Sequence, residues 1–113
     1  MDIEQHLPLS FREFHILLAV SREPLNGYQI AQAVEETSRG AVQLSPATQY
    51  VNLHRLAEKG LLAEVTDQER HRSDGRKQRF WALSPLGTQV LRAEARRLAT
   101  DAELAWAHVG REG

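Results

Sequence analysis

Four helix starts are written into the 113 residues of this chain, and their spacing governs what it can fold into. Ser10 followed by Glu13, and Asn26 followed by Gln29, have the capping-box spacing. In that motif the cap side chain accepts from the backbone N–H three residues on, and the later side chain reaches back to the cap. Leu9 with Phe14, and Leu25 with Ile30, are placed as hydrophobic staples across the same two starts. Ser45–Pro46 and Ser84–Pro85 put a cap before a proline, whose missing N–H costs nothing in a first turn. Helices are therefore expected from Phe11 to about Arg22, from Asn26 to near Ser38 before Gly40, from Ser45 to the stop at Gly60, and from Ser84 onward. The last runs without Gly or Pro from Thr88 to Val109 and is the longest.

The remaining segments read as strands. AVQL, residues 41–44, alternates apolar and polar and is expected to hold one brief strand. Leu61, Ala63 and Val65 alternate with polar residues, a polar tip runs from about Asp67 to Gly75, and Gln78 to Leu83 reads as a second strand, so the pair forms a hairpin. In the last helix Leu91, Ala95, Leu98, Ala102, Ala105 and Val109 fall at steps of 4, 3, 4, 3 and 4, a heptad seam narrower than a core-facing helix needs. Three helices followed by a hairpin with a charged tip make a winged helix. The expected fold is mainly α with a small β wing, in one compact unit: a winged helix-turn-helix over residues 1–84 and a long C-terminal dimerisation helix over 85–113. The plainer reading of that helix folds it back on its own domain.

Composition removes several classes of function. There is no cysteine, hence no disulfide framework, thiolate metal site or cysteine nucleophile, which suits a reducing cytoplasm. No apolar run reaches the length of a membrane span, and MDIEQHLPLS is unlike a signal peptide. The histidines at 6, 15, 54, 71 and 108 form no close pair, so no metal site is expected, and His15 reads as part of a helix surface. NG and DG read as a cap and a turn rather than a phosphate loop, and no serine sits in a nucleophile elbow. An enzyme is not expected, nor a cofactor.

Charge and helix geometry point elsewhere. The net charge is −1, yet RHRSDGRKQR, residues 70–79, holds five Arg or Lys against one Asp, a local +4 that leaves −5 for the rest. At a hairpin tip, Arg70, His71, Arg72, Arg76, Lys77 and Arg79 are placed to neutralise phosphates, with binding that falls steeply with salt. A solvated loop is the plainer reading. Along LSPATQYVNLHRLAEKGLL, wound at roughly 100° per residue, Tyr50, Leu53, Leu56 and Ala57 share one face, and Thr48, Val51, Asn52, Arg55 and Lys59 the other. On that outer face Arg55 has the donors to grip guanine O6 and N7, Asn52 matches adenine, and Val51 and Ala47 can meet thymine methyls. Ser45, Thr48 and Lys59 complete the candidate DNA-contacting set on this helix. A solvated face with one stray valine is again the plainer reading.

These residues resemble the PadR-like family of transcriptional regulators. The resemblance is carried by LPLSFREFHILLAV, by PLNGYQI with its GY-x-I element, by LSPATQYVNLHRLAEKGLL as recognition helix, and by RFWALSPLGTQVL. It spans roughly residues 7 to 100 and keeps these motifs in order. Two places depart from the family: Gln49 stands where an apolar, inward residue is usual, and Phe80–Trp81 replace a Tyr-rich pair. The resemblance implies that Tyr28 sets its hydroxyl on a phosphate, with simple packing as the alternative. It further implies a homodimer through the C-terminal helices, presenting two recognition helices to a pseudo-palindromic site in double-stranded DNA. Some members bind flat aromatic compounds between subunits, which makes Trp106 a candidate effector contact or, more plainly, a packing anchor. The expected function is a cytoplasmic DNA-binding repressor released by a small-molecule effector. The alternative is a winged-helix interaction module that docks its basic tip on an acidic partner without sequence-specific DNA binding.

Overall fold

The computed structural model describes residues 3–65 and 79–111. A short 3₁₀ turn, Ile3–His6, precedes α1 (Phe11–Ala19), β1 (Leu25–Asn26), α2 (Gly27–Thr37), α3 (Pro46–Glu58), β2 (Leu62–Val65), β3 (Phe80–Leu83) and α4 (Pro85–Val109). All four starts are capped as their residues dictate. Ser10 and Asn26 close capping boxes with Glu13 and Gln29, and Ser45 and Ser84 accept from the N–H groups of Thr48 and Gly87. The stops are more varied. α1 ends short of Arg22 because Ser21 donates both its N–H and its hydroxyl to the Leu18 carbonyl, the acceptor a further turn would need. α3 closes with Leu61 N–H on Leu56 and Gly60 N–H on Ala57, a Schellman pair with Gly60 at φ 81°. α2 uses the same pair, from Gly40 to Glu35 and Arg39 to Glu36, but here Arg39 takes the first left-handed position at φ 54°.

The strand expected at AVQL does not form. Ser38 Oγ accepts the Val42 N–H at 3.0 Å, so the donor that a ladder would use is taken, and the Val42 side chain turns into the core. The extra strand is β1 instead, too short for any alternation to reveal. It pairs antiparallel with β3, Leu25 opposite Trp81 and Asn26 opposite Phe80, giving the order β1-β3-β2. Asn26 thus ends a strand and caps α2 in one residue. The alternation expected from Leu61 to Val65 is also broken. Leu61 and Leu62 are both buried and Ala63 is exposed, since Leu61 belongs to the helix-stop turn and the strand begins after it.

One core unites these elements: Ile16, Leu17 and Val20 of α1, Ile30 and Val34 of α2, Leu53 and Leu56 of α3, Leu61, Leu62 and Trp81 around the hairpin, and Val90 of α4. Each such side chain contributes on the order of 1.5–3 kcal/mol by leaving water. His15, expected at the surface, belongs with them at 7% exposure. Its Nδ1 lies 2.7 Å from Thr37 Oγ1, and the rings of Phe11 and Phe14 stand edge-on to it at 4.4 and 5.6 Å. Burial pushes its imidazole below the ordinary histidine value.

α4 leaves the body partway along. Gly87, Val90 and Glu94 are buried and Leu91 packs at the core's edge, but every described residue from Ala95 on is exposed. At 1.5 Å per residue, 95–109 projects about 22 Å of helix, and the molecule measures 56 × 35 × 22 Å.

Candidate nucleic-acid interface

The outer side of α3 begins at its cap. The Ser45 hydroxyl accepts the Thr48 N–H at 3.3 Å and donates to Thr48 Oγ1 at 2.9 Å, which leaves the Thr48 hydroxyl hydrogen to point outward. One turn on, the Asn52 amide donates to the Thr48 carbonyl at 2.8 Å, a bond that orients the side chain and leaves its oxygen and second N–H unused by it. Ala47, Val51 and Arg55 are exposed, Val51 to 47%, and Arg55 makes no ion pair among the described residues. Ser45, Ala47, Thr48, Val51, Asn52 and Arg55 therefore form one continuous face. Lys59 is turned aside from it toward α1, its Nζ 3.1 Å from Glu13 Oε2. Burial works to raise the Glu13 carboxyl, but the Ser10 N–H and the Lys59 ammonium outweigh it and hold the group below its ordinary value.

The inner side of α3 differs from expectation at Tyr50. Leu53 and Leu56 are buried, but Tyr50 is 60% exposed, at the margin of the face it shares with them. Its ring lies against His54 at 4.1 Å. Gln49 lies over Gly27 at the start of α2, where any Cβ would collide with its amide. A glycine at that point is what makes room for the longer polar side chain.

Beside this contact, α2 and the start of α3 enclose an open groove of about 810 Å³, bordered by Tyr28, Gln32, Glu35, Gln43, Ser45 and Gln49 among others. Tyr28 is 70% exposed, and its hydroxyl oxygen accepts from Gln32 Nε2 at 3.1 Å, so its hydrogen remains available to an anion. Packing, the alternative role for Tyr28, is not what this exposure favours.

Of the candidate wing residues, Arg70, His71, Arg72, Arg76 and Lys77 lie outside the described residues. Arg79, at the root of the wing, is described. Its Nε is 3.2 Å from Glu64 Oε2 on β2, and its Nη1 is 3.4 Å from His54 Nε2 on α3. The His54 ring meets Trp81 edge-on at 5.2 Å. The sequence alone gives His54 no role, since the histidines form no close pair that could hold a metal. The available signal was its spacing of four from Tyr50, which brings two rings together along one helix face.

On α4, Ala95, Leu98, Ala102, Ala105 and Val109 of the seam are exposed, Leu98 to 43% and Val109 to 76%, while Leu91 is tied to the core. Trp106 is 42% exposed, with the Arg111 guanidinium 5.4 Å from its ring centroid and Arg111 in turn 3.1 Å from Glu103. Among the described residues no group of three or more His, Cys, Asp or Glu is placed to hold a metal ion, and no helix is long and apolar enough to cross a membrane.

Known proteins resemble this chain in sequence and in fold. The sequence profile of the transcriptional regulator PadR-like family matches residues 16–93. A Mycobacterium tuberculosis transcriptional regulator is 34% identical over 84 residues, covering 74% of this chain and 72% of that protein. A PadR-like transcriptional regulator from Bacillus cereus has the same fold, with a TM-score of 0.73 at 19% identity over 96% of this chain and 99% of its own. Bacillus subtilis PadR, solved in complex with operator DNA, matches with a TM-score of 0.63 at 20% identity, over 76% of this chain and 47% of its own. These are regulators of transcription, not enzymes. With its winged helix-turn-helix and a family match over most of its length, the chain belongs to the PadR-like family of transcriptional regulators.

Proposed function

We propose that this regulator is a cytoplasmic repressor that binds a pseudo-palindromic operator as a homodimer. α3 enters the major groove, Arg55 and Asn52 read base edges, and Ala47 and Val51 meet thymine methyls. Ser45, Thr48 and Tyr28 border the phosphates, and the wing residues Arg70, Arg72, Arg76, Lys77 and Arg79 neutralise more of them. The observation that carries this reading is the outer face of α3: an exposed Val51 set among Ala47, Thr48, Asn52 and an Arg55 with no ion pair among the described residues. A solvated face has no need of an apolar side chain between base-matching polar ones.

The exposed seam from Ala95 to Val109 supports dimerisation through α4, which would set the distance between two copies of α3. A flat aromatic effector stacking on Trp106 would release the operator by favouring another spacing, through its differential affinity for the two states.

The test is a pair of variants measured against operator and unrelated duplex. Arg55→Ala should cost roughly 1–3 kcal/mol on the operator and relax its sequence preference. Neutralising Arg72, Arg76 and Lys77 together should weaken all duplexes alike and flatten the salt dependence. If Arg55→Ala leaves sequence-specific binding unchanged, the base-reading assignment is wrong. If the wild-type chain binds no duplex even at low salt, docking on an acidic protein partner replaces the whole reading.

A further inference from the structure

α3 and the root of the wing are joined by a chain of five side chains, of which Trp81 alone also belongs to the core. The Tyr50 ring lies tilted against His54, His54 meets the edge of Trp81 in β3, and Arg79 spans from His54 to Glu64 across the root of the hairpin. The chemistry of the link is set by its donor. A guanidinium has only N–H groups, so across the 3.4 Å contact His54 Nε2 must be the acceptor and the ring proton must sit on Nδ1. Glu64 lies directly opposite Trp81 in the strand register, so Arg79 reaches across its own hairpin and to the helix at the same time. A planar guanidinium held at two points keeps one orientation, whereas one held only by the exposed Glu64 carboxylate can swivel about it.

We propose that His54 is a positioning residue for DNA binding: by accepting from Arg79 Nη1 it fixes the root of the wing against α3, so that phosphate contact and base reading occur in one register. The proposal rests on the DNA-binding reading above. His54 itself need not touch DNA. Its ring and its acceptor nitrogen have separable duties, since Tyr50 and Trp81 engage the ring and Arg79 engages the nitrogen.

The test has one arm without DNA and one with it. In the free protein, ¹⁵N spectra of the imidazole should report the Nδ1–H tautomer, and Arg79→Ala should shift those signals. An Nε2–H tautomer that ignores Arg79→Ala overturns the proposal whether or not the chain binds DNA. On operator DNA, His54→Phe keeps a ring but loses the acceptor, and His54→Gln keeps an acceptor but loses the ring. His54→Phe should weaken binding roughly three- to tenfold, the worth of one partly solvated charged hydrogen bond. It should also lower the salt slope by about one, as Arg79→Ala should. His54→Gln should recover part of the loss, and adding Arg79→Ala to His54→Phe should weaken binding no further. Wild-type binding with an unchanged His54→Phe affinity and salt slope overturns the positioning role alone. A wild-type chain that binds no duplex overturns the DNA-binding reading and the role together.

Discussion

Gly87→Ala should destabilise this protein even though alanine is the better helix former. Gly87 lies in the first turn of α4, where propensity alone credits alanine with up to about 1 kcal/mol. A Cβ there runs into the Leu61 carbonyl oxygen and comes within 2.9 Å of Leu83 Cδ1 and 3.0 Å of the Leu61 carbonyl carbon. The carbonyl is not free to retreat. It accepts the Ser84 N–H at 3.1 Å, and the Ser84 hydroxyl is bonded to the neighbouring Gly60 carbonyl, so the cap of α4 and the stop of α3 are locked together. Overpacking costs about 1–3 kcal/mol and sits at the upper end against backbone. A weakened Ser84 bond adds about 1 kcal/mol. The net loss is then about 2–3 kcal/mol after the propensity gain. Urea titration at one fixed protein concentration reads this directly: with a slope of about 1.5 kcal/mol/M, the midpoint should fall by roughly 1.3–2 M. An unchanged or higher midpoint at the same slope would refute the argument that this contact holds α4 to the body. Gly27→Ala is the comparison, because its Cβ meets only the far end of the flexible Gln49 side chain, and its midpoint should fall less.

Arg39→Gly should raise stability by roughly 0.5–1 kcal/mol in the same titration, since it removes a side chain from the left-handed position at φ 54°. Folding stability should also fall with pH through His15. Its folded-state value lies below the ordinary 6.5, so the unfolded chain binds the proton first as pH drops. The His15 contribution is therefore complete above about 6.5, lost on acidification and level again below the folded value. Urea midpoints of wild type and His15→Gln between pH 7.5 and 5 should converge on acidification, and parallel curves would count against it. Leu98→Asp should convert the proposed dimer to monomer by sedimentation without lowering the unfolding midpoint of that monomer, because Leu98 lies clear of the core. Leu91 is a poorer choice, because it packs on the core as well as belonging to the seam.

What could be read in advance was whatever depends on local chemistry. Ser10, Asn26, Ser45 and Ser84 cap in the structure because a capping side chain and its third N–H are close in sequence, so no tertiary information is needed. The hairpin and the long helix were legible for the same reason. Other features depend on which partner arrives from elsewhere. β1 exists because β3 comes to lie beside Leu25–Asn26, and AVQL fails as a strand because Ser38 reaches Val42 first. His15 is buried because Thr37 on α2 offers a hydroxyl, and Tyr50 stays exposed because His54 gives its ring a place on the surface. For the site, helical periodicity found the outer face of α3. It missed the side chains that join that face to the wing, because Arg79 and Glu64 lie on other elements.

The central claim is that two copies of α3 read a symmetric duplex. Selection of bound sequences from a pool of random duplex DNA, using the full chain, tests it most directly. The expected result is enrichment of two inverted half-sites whose centres lie about 10 base pairs, or a multiple of that, apart. A folded wild-type chain that enriches no sequence over the starting pool, or only a single half-site without a partner, would contradict it.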